Sequence, residues 1–290
     1  MTQVTRPSNT LKKIVDVGKK ETRVIGSVER WILARPADTS RATDVIHPSA
    51  MIKPDWCHRA EYYHLQGAEP APPKYRQSMK THLTFEEGHR IHARWQNWFQ
   101  GMGRLYGKFE CLNCRVVVWE TSPTLCTGCS STKFKYKEVP VSSPEHGISG
   151  HADGWLKNFG DDLLLEIKSV GEGTFAWEDR MGWQAQGEDF KKAWANLKSP
   201  FYTHIMQAQV YMKLLELMNP DNHPKEAVFI YEAKPTQEVK EFVMPKSDFG
   251  VTPLFEAATM IMQAIDKQQP PGCNISPTGS CSKCEVFNVN

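Results

Sequence analysis

Asp153, Glu166 and Lys168 are residues whose types and spacing could perform chemistry at one point. Asp153 ends the run Gly-His-Ala-Asp, and Glu166 and Lys168 end an apolar run that begins at Leu163. Because side chains alternate along a strand, Glu166 and Lys168 share one face while Ile167 points to the other. Two carboxylates suit Mg²⁺ or Mn²⁺, which activate water and neutralise charge on a phosphate. We therefore predict a metal-dependent phosphodiesterase site, in which the lysine stabilises the nucleophile or the pentacovalent phosphate.

Two neighbouring strands are predicted to position these residues. The first runs from Ile148 through Leu156, and the second covers 163–168. A turn joins them at 158–162, because Asn, Gly and Asp favour tight loops. A carboxylate within an apolar strand is costly unless it is paired or bound to metal. The alternative interpretation is a hairpin with surface carboxylates, since so short a motif often arises by chance.

Two helical motifs flank this pair of strands. A Gly-x-x-x-His motif ends at His92, in a segment that predicts a helix beginning at Thr84 with Glu three residues on. A Gln207-x-x-x-Tyr211 motif lies in a second helix with apolar neighbours. Taken singly, His92 would be a surface or capping residue, with His89 as a competing ligand, and Tyr211 a core residue. The functional interpretation is favoured because the motifs agree in order, spacing and predicted element.

This ordered set of motifs resembles the PD-(D/E)xK nuclease superfamily. Gly-His-Ala-Asp stands where the older motif has Pro-Asp, as in the RecB-like branch, and Glu-Ile-Lys matches the second half. The Gly-x-x-x-His and Gln-x-x-x-Tyr motifs are further signatures of that branch. The resemblance implies a set of Mg²⁺ or Mn²⁺ ligands, two of them also catalytic, then a catalytic lysine and two residues that position DNA or that lysine. The implied metal ligands are His92, Asp153, Glu166 and the Ile167 carbonyl, and Asp153 and Glu166 are also catalytic. The implied catalytic lysine is Lys168, and the implied positioning residues are Gln207 and Tyr211.

Eight cysteines fall into two groups, and the first has the spacing of a zinc ribbon. Two Cys-x-x-Cys knuckles are separated by eleven residues, with a strand predicted between them at 116–119. Paired cysteines in an intracellular chain more often bind metal than form disulfides. We predict one structural Zn²⁺ with four thiolate ligands and no open position, held by Cys111, Cys114, Cys126 and Cys129.

The second group contains one early and three late cysteines, Cys57, Cys273, Cys281 and Cys284. This bracketing resembles the iron–sulfur nucleases, including the CRISPR-associated exonucleases, in which a [4Fe–4S] cluster joins the two ends of the domain. Four thiolates suit such a cluster. The family has a close pair followed by a more distant cysteine, whereas here the longer gap comes first. A second zinc site is therefore an open alternative. For Cys57 alone, a further alternative is that it is a small buried apolar residue.

The resemblance implies an α/β fold with a restriction-endonuclease-like core, which is a central mixed sheet flanked by helices. Apolar patterning agrees, since it predicts strands at 227–232 and 240–244 and a later helix at 252–267. A short helix is predicted at 25–33 in a polar N-terminal segment. The predicted organisation is an N-terminal extension at 1–45 and a nuclease domain at 46–290, which includes a zinc-ribbon insertion at 107–137 and a cysteine-containing segment at 270–290.

Composition is that of an ordinary soluble chain of 290 residues with a net charge of +2. This excludes a polycation but not DNA binding, because a nuclease needs a basic groove only near its metals. Trp177, Trp183 and Trp194 are candidates for stacking on unpaired bases, with core or lid packing as the alternative. The polar N-terminus lacks a signal peptide and no apolar run has transmembrane length, so we expect a cytoplasmic protein without membrane contact.

These features predict a divalent-metal-dependent DNA nuclease, most simply an exonuclease acting on single-stranded or duplex DNA ends. The resemblance implies a role in phage or bacterial recombination, repair or replication, with DNA and a replication or recombination protein as partners. A non-catalytic DNA-binding or adaptor module on a nuclease fold is the alternative, favoured by the two cysteine groups. A zinc-dependent hydrolase is disfavoured because no His-Glu-x-x-His motif is present.

Overall fold

The computed structural model describes residues 23–36, 42–69, 71 and 78–287. The chain divides into two compact units, the smaller from 1–41 and 73–87 and the larger from 42–72 and 88–290. Of the helices within the described ranges, none combines the length and the apolar character that a bilayer crossing requires. The predicted boundaries of the extension, the nuclease domain, the ribbon and the cysteine segment remain predictions.

Ten α-helices and nine strands lie within the described residues, with a 3₁₀ turn at Pro144–His146. The helices are α1 (Arg23–Leu33), α2 (Pro48–Met51), α3 (His58–Leu65), α4 (Met79–Gly101), α5 (Glu172–Glu178), α6 (Arg180–Ala185), α7 (Phe190–Asn196), α8 (Tyr202–Met218), α9 (Thr252–Asp266) and α10 (Ser282–Glu285). The strands are β1 (Leu105–Cys111), β2 (Val117–Thr121), β3 (Phe134–Lys137), β4 (Val139–Ser143), β5 (Ile148–Ala152), β6 (Gly154–Phe159), β7 (Asp161–Val170), β8 (Glu226–Ala233) and β9 (Val239–Pro245).

The smaller unit contains α1 and the first turns of α4. The helix predicted at 25–33 is confirmed and begins two residues earlier. The prediction that α4 begins at Thr84 is wrong, because the helix begins at Met79. Ser78 provides the reason, since its Oγ accepts the Thr81 N–H at 3.2 Å. This contact satisfies one of the amides that a helix N-terminus leaves without a partner.

A seven-stranded mixed sheet forms the centre of the larger unit. Its order is β2-β1-β6-β7-β8-β9, and β3 also pairs with β1. Strands β7 and β8 run parallel, whereas the other neighbours in this order pair antiparallel. Strands β4 and β5 form a separate two-stranded sheet. The predicted fold class, α/β with a central mixed sheet and flanking helices, is confirmed.

Alternation along β7 sends its side chains into two apolar clusters. Leu165 and Ile167 pack with residues of α4, whereas Leu164 packs in a second cluster that contains much of α8. Glu166 and Lys168 follow Leu164 at two-residue intervals, so they lie on the α8 side of the sheet. The sheet is therefore held between α4 and α8, and the two charged residues of β7 face the second of these helices.

The strand predicted from Ile148 through Leu156 is wrong in one respect, because it is two strands. Strand β5 ends at Ala152 and pairs with β4, whereas β6 begins at Gly154 and pairs with β1 and β7. Asp153 lies between them and belongs to neither strand. The chain therefore changes sheets at the residue that the sequence singles out as a metal ligand.

Gly154 lies between two fully buried leucines. An added Cβ would stand 2.8 Å from Leu105 Cδ1 and 3.1 Å from Leu165 Cδ2. We expect Gly154→Ala to lower the free energy of unfolding by about 1–2 kcal/mol, because a filled core must shift to admit the methyl group. Urea denaturation followed by circular dichroism measures this change.

Gly173→Ala is the matched control, because an added Cβ at this position of α5 meets nothing within 4 Å. This variant should be neutral or slightly more stable than the wild type, since alanine favours a helix over glycine. Equal stability of Gly154→Ala and the wild type would contradict the packing argument.

Candidate active site and metal centres

The break between β5 and β6 leaves the Asp153 carboxylate free to contact β7. The β6–β7 ladder pairs Gly154 with Leu165 at its end. Two residues further along β7, the Ile167 N–H donates a hydrogen bond to Asp153 Oδ2 at 2.6 Å. The Asp153 carboxylate therefore accepts the N–H that a backbone carbonyl would accept if β5 and β6 were one continuous strand. Asp153 is thereby fastened to the Glu-x-Lys segment of β7.

Helix α4 supplies two further side chains to Asp153. His92 Nδ1 lies 3.2 Å from Asp153 Oδ1, and Gln96 Nε2 donates to the Asp153 main-chain carbonyl at 2.9 Å. His92 and Gln96 are four residues apart, so they lie on the same face of the helix. Gln96 was not among the predicted site residues, and its spacing from His92 is the sequence signal that could have found it.

A buried carboxylate anchors α4 beside the end of β7. Glu232 of β8 accepts hydrogen bonds from the Arg94 guanidinium and, at 2.8 Å, from Trp95 Nε1. Glu232 is paired with Ser169 of β7 in the parallel ladder. Because a buried charge is costly when it loses a partner, these contacts favour one position of the helix. That position sets where His92 stands relative to β7.

A chain of polar contacts runs from Glu166 across to α8. Glu166 Oε2 lies 2.9 Å from Lys168 Nζ, and Lys168 Nζ donates to Gln207 Oε1 at 2.8 Å. Gln207 Nε2 donates in turn to the Tyr211 hydroxyl at 2.9 Å. Gln207 and Tyr211 are one helical turn apart, which accounts for the spacing of their motif. Tyr211 therefore orients the glutamine, and the glutamine orients the lysine.

Glu138 joins the site although sequence reasoning missed it. Ligand atoms of His92, Glu138 and Asp153 lie within 4.8 Å of one another. Glu138 is the single residue between β3 and β4, so it reaches the site where the chain leaves the ribbon. A lone glutamate between a lysine and a valine forms no motif, and the sequence carries no signal for it.

Glu166 is buried but only half satisfied. Its side chain is 1 % exposed, and its Oε1 has no hydrogen-bond partner among the described residues. Burial raises the pKa of Glu166 to about 7, against the opposing charge of Lys168. Burial disfavours the ionised form of a carboxylate, and a cation next to it restores that form. Glu166 therefore requires a further positive charge to be fully ionised at neutral pH.

The groups around Glu166 are shifted by their mutual charges. Burial acts to raise the pKa of Asp153, but the His92 and Lys168 charges hold it below its usual value. Burial acts to lower the pKa of His92, and the Asp153 carboxylate outweighs it and raises that pKa. Burial likewise opposes a raised pKa at Lys168, and the two buried carboxylates outweigh it. At neutral pH Asp153 is therefore ionised and Lys168 protonated.

Burial, with the Asp153 charge beside it, raises the pKa of Glu138.

The side chains gathered around Asp153 form a set of donor atoms that fits Mg²⁺ or Mn²⁺. His92, Glu138 and Asp153 offer ligand atoms within 4.8 Å of one another, and carboxylate oxygens are the ligands that these cations prefer. Glu166 lies outside this group, but the Asp153 charge acts on it, and its Oε1 has no hydrogen-bond partner among the described residues. The contribution expected from the Ile167 carbonyl remains a prediction.

The three tryptophans considered for base stacking occupy different environments. Trp183 and Trp194 are buried and stack on phenylalanines, so core packing is the interpretation that holds for these two. Trp177 is 76 % exposed. It precedes Glu178, whose carboxylate is close enough to Lys168 for its charge to act on that ammonium. Trp177 is thus an exposed aromatic residue next in the chain to one whose charge acts on the candidate site.

The first cysteine group converges where β1, β2 and β3 meet. All four sulfurs lie within 4.8 Å of one another, and two of the pairs are 3.6 and 3.5 Å apart, namely Cys111–Cys129 and Cys114–Cys126. Each knuckle ends in a residue with a left-handed backbone directly after its second cysteine, Arg115 at φ 64° and Ser130 at φ 57°. Two such turns and four clustered thiols fit one tetrahedral zinc ion.

The second cysteine group also converges and joins distant parts of the chain. Cys57 lies at the N-terminus of α3, and its sulfur is within 4.8 Å of those of Cys273, Cys281 and Cys284. The four residues therefore form a second candidate metal centre, as the sequence predicts. Fold and sites together define an α/β protein with a buried carboxylate–lysine site and two four-cysteine centres.

Comparison with known proteins gives no match to a family model and none to a curated protein. Among solved structures, the alkaline exonuclease LHK-Exo from Laribacter hongkongensis is 10 % identical, with a TM-score of 0.42 over 78 % of this chain and 90 % of that one. LHK-Exo in complex with dAMP is 11 % identical, with a TM-score of 0.39 over the same shares. SSO0001 is 12 % identical, with a TM-score of 0.33 over 83 % and 82 %. Likeness at this level assigns no activity to this chain.

The raised pKa of Glu166 predicts a pH-dependent stability in the absence of Mg²⁺ and Mn²⁺. A carboxyl whose folded pKa exceeds its unfolded value stabilises the fold at low pH, and this contribution is lost as pH rises through the folded pKa. With the pKa moving from 4.5 to about 7, about 3 kcal/mol should be lost between about pH 4.5 and 7. Glu166→Gln should lack this component, which urea unfolding at several pH values measures.

Glu256→Gln provides the control, because Glu256 is exposed on α9 and should leave the pH profile as it is in the wild type. Adding Mn²⁺ should restore stability to the wild type at pH 8 and not to Glu166→Gln. Parallel pH profiles for the wild type and Glu166→Gln would exclude an ionisation of Glu166 in this range.

Proposed function

We propose that this protein is a divalent-metal-dependent deoxyribonuclease that hydrolyses phosphodiester bonds as an exonuclease at DNA ends. One observation carries the proposal, which is a connected set of contacts from separate parts of the chain. His92 contacts Asp153, whose carboxylate holds the β7 backbone beside Glu166, and Lys168 bridges Glu166 and Gln207. Metal ligands, an ammonium and the amide that positions it are thus assembled together.

The carboxylates of Glu138, Asp153 and Glu166, with the His92 imidazole, would hold Mg²⁺ or Mn²⁺. The bound metal supplies an activated water and neutralises charge that develops on the phosphate. Asp153 is already ionised in the folded chain, so it is ready to bind a cation. Glu166 becomes a full carboxylate only beside added positive charge, which couples its ionisation to metal binding.

Lys168 is the residue that we assign to the chemical step. Its ammonium has three N–H donors, of which one faces Glu166 and one is donated to Gln207. The third remains for the attacking water or a phosphate oxygen. The neighbouring carboxylates outweigh burial and raise its pKa, so Lys168 is protonated in the metal-free chain. Its role is to stabilise negative charge on the nucleophile and on the pentacovalent phosphate.

The finer parts of the proposal rest on the family resemblance and on the cysteine ribbon. The resemblance supports action on DNA ends and a role in recombination, repair or replication. The ribbon is assigned one structural Zn²⁺, because four protein thiolates leave no open position for water or substrate. Its strand β1 continues into the main sheet and pairs with β6. The ribbon is therefore continuous with the main sheet, and Glu138, which follows its last strand, lies beside Asp153.

Lys168→Ala should lower the rate of nucleotide release from linear DNA roughly 100- to 1,000-fold, because a preorganised charge at the phosphate is lost. The assay uses end-labelled linear DNA with Mn²⁺, and covalently closed circular DNA should resist the wild type. Lys267→Ala is the control, since this exposed lysine follows α9 and should leave the rate unchanged. Thermal unfolding of both variants verifies that each is folded.

Two results would overturn the proposal. If the folded wild type leaves linear and single-stranded DNA intact with Mn²⁺, the chain is not a nuclease, and DNA binding without cleavage would identify the adaptor alternative. If the wild type cleaves DNA and Lys168→Ala cleaves it equally well, the assigned site is not the catalytic one.

Trp177→Ala should raise KM for single-stranded DNA roughly 5- to 100-fold while kcat is retained, because aromatic stacking on a base contributes about 1–3 kcal/mol. Trp119→Ala is the matched control, since Trp119 is an exposed tryptophan on strand β2 of the ribbon. An unchanged KM for Trp177→Ala would remove this residue from the DNA contact surface without affecting the assignment of Lys168.

A further inference from the structure

We propose that Cys57, Cys273, Cys281 and Cys284 hold a single Zn²⁺ ion and not the [4Fe–4S] cluster that the family resemblance implies. The inference goes beyond the proposed nuclease function and does not depend on it. The distances between the four sulfurs determine whether the thiolates can enclose one metal ion or an iron–sulfur cluster.

The separation of the sulfurs distinguishes the two kinds of centre. Cys57 Sγ lies 4.0 Å from Cys273 Sγ, and Cys281 Sγ lies 3.9 Å from Cys284 Sγ. Four thiolates bound to one tetrahedral zinc at about 2.3 Å are about 3.8 Å apart. A four-iron cluster places its own irons and sulfides between the thiolates and holds them roughly 6 Å apart. All four sulfurs here lie within 4.8 Å of one another, which fits one ion and leaves no room for the cluster.

The ribbon, to which one structural Zn²⁺ is assigned above, allows a comparison within the same chain. Two of its sulfur pairs are 3.6 and 3.5 Å apart, close to the 4.0 and 3.9 Å of the second centre. The second centre also contains one Cys-x-x-Cys knuckle, from Cys281 to Cys284, with the same spacing as the two knuckles of the ribbon. The two centres are thus alike in size and share one ligand motif.

Backbone amides point at the sulfurs of the second centre. The Ala60 N–H donates to Cys57 Sγ, and the Ser276 N–H donates to Cys273 Sγ, both at 3.4 Å. The Cys281 N–H donates to Cys284 Sγ at 3.2 Å. Donors of this kind stabilise the thiolate, which is the form that binds metal. These three amides are therefore placed to stabilise thiolates once a metal ion is bound.

Polar contacts around the centre hold its two halves at the observed separation. The Asn274 side chain accepts the His58 N–H at 2.8 Å and donates to the Trp56 carbonyl at 3.0 Å. The Arg59 guanidinium donates to the Gly279 carbonyl at 3.0 Å. Widening the sulfur set by about 2 Å to admit an iron cluster would pull the C-terminal segment away from α3 and break these contacts. The surrounding structure thus favours the smaller centre.

The test is a metal and sulfide count on the full chain. The protein is produced in cells supplied with iron and an active iron–sulfur assembly system, and it is purified without oxygen. We expect two zinc atoms per chain, no acid-labile sulfide and no broad absorption near roughly 400 nm, where thiolate-ligated iron clusters absorb. About four iron atoms and four sulfides per chain, with a brown colour, would overturn the proposal.

Two matched variants assign each zinc to its centre. Cys284→Ser should reduce the count from two zinc atoms to one, and Cys129→Ser should do the same by emptying the ribbon. In Cys129→Ser the remaining zinc should show four sulfur neighbours at about 2.3 Å by X-ray absorption. Retention of both zinc atoms by Cys284→Ser, or oxygen and nitrogen neighbours in Cys129→Ser, would contradict the assignment. If Cys284→Ser does not fold, the wild-type count and the Cys129→Ser spectrum still decide the question.

Discussion

The hydrogen bond from the Ile167 N–H to Asp153 Oδ2 is the contact on which the rest of the candidate site depends. It occurs where a ladder bond would stand if β5 and β6 were one strand, so a side chain takes over the pairing of the main chain. The break makes Asp153 available, and the bond keeps it beside β7. The contacts to His92 and Gln96 then bring α4 to the same residue.

Charge is distributed unequally across this arrangement. Asp153 has an imidazole and a backbone amide as partners, whereas one oxygen of Glu166 accepts no hydrogen bond from any residue that the structure describes. The low dielectric of the interior increases the cost of such an oxygen and also increases the gain from a cation placed beside it. The site is therefore assembled in advance in its geometry but incomplete in its charge. Gln207 and Tyr211 hold the Lys168 ammonium beside this carboxylate.

Local patterns explain what the sequence could predict. Strand β7, helix α8 and the ribbon follow from alternation, helical spacing and Cys-x-x-Cys knuckles, each contained in a few consecutive residues. Glu138 and the break at Asp153 could not be predicted, because each depends on how the ribbon and the small β4–β5 sheet join the main sheet. The start of α4 was missed because Ser78 caps a segment without a strong apolar pattern. The kind of metal at the second cysteine centre depends on the distances between the sulfurs in space, which the spacing of cysteines along the sequence does not give.

Because of its position in the chain, the second cysteine centre can form only late in synthesis. The candidate active-site residues lie at or before Tyr211, whereas three of the four ligands of this centre lie at or after Cys273. During synthesis the sheet and the candidate active-site residues therefore leave the ribosome before these three cysteines, and the link from α3 closes only after the cysteines have emerged. A protein cut before Cys281 would retain the candidate active-site residues and lose the link. Damage to this segment would thus shorten the lifetime of the folded protein while leaving the candidate active site in place.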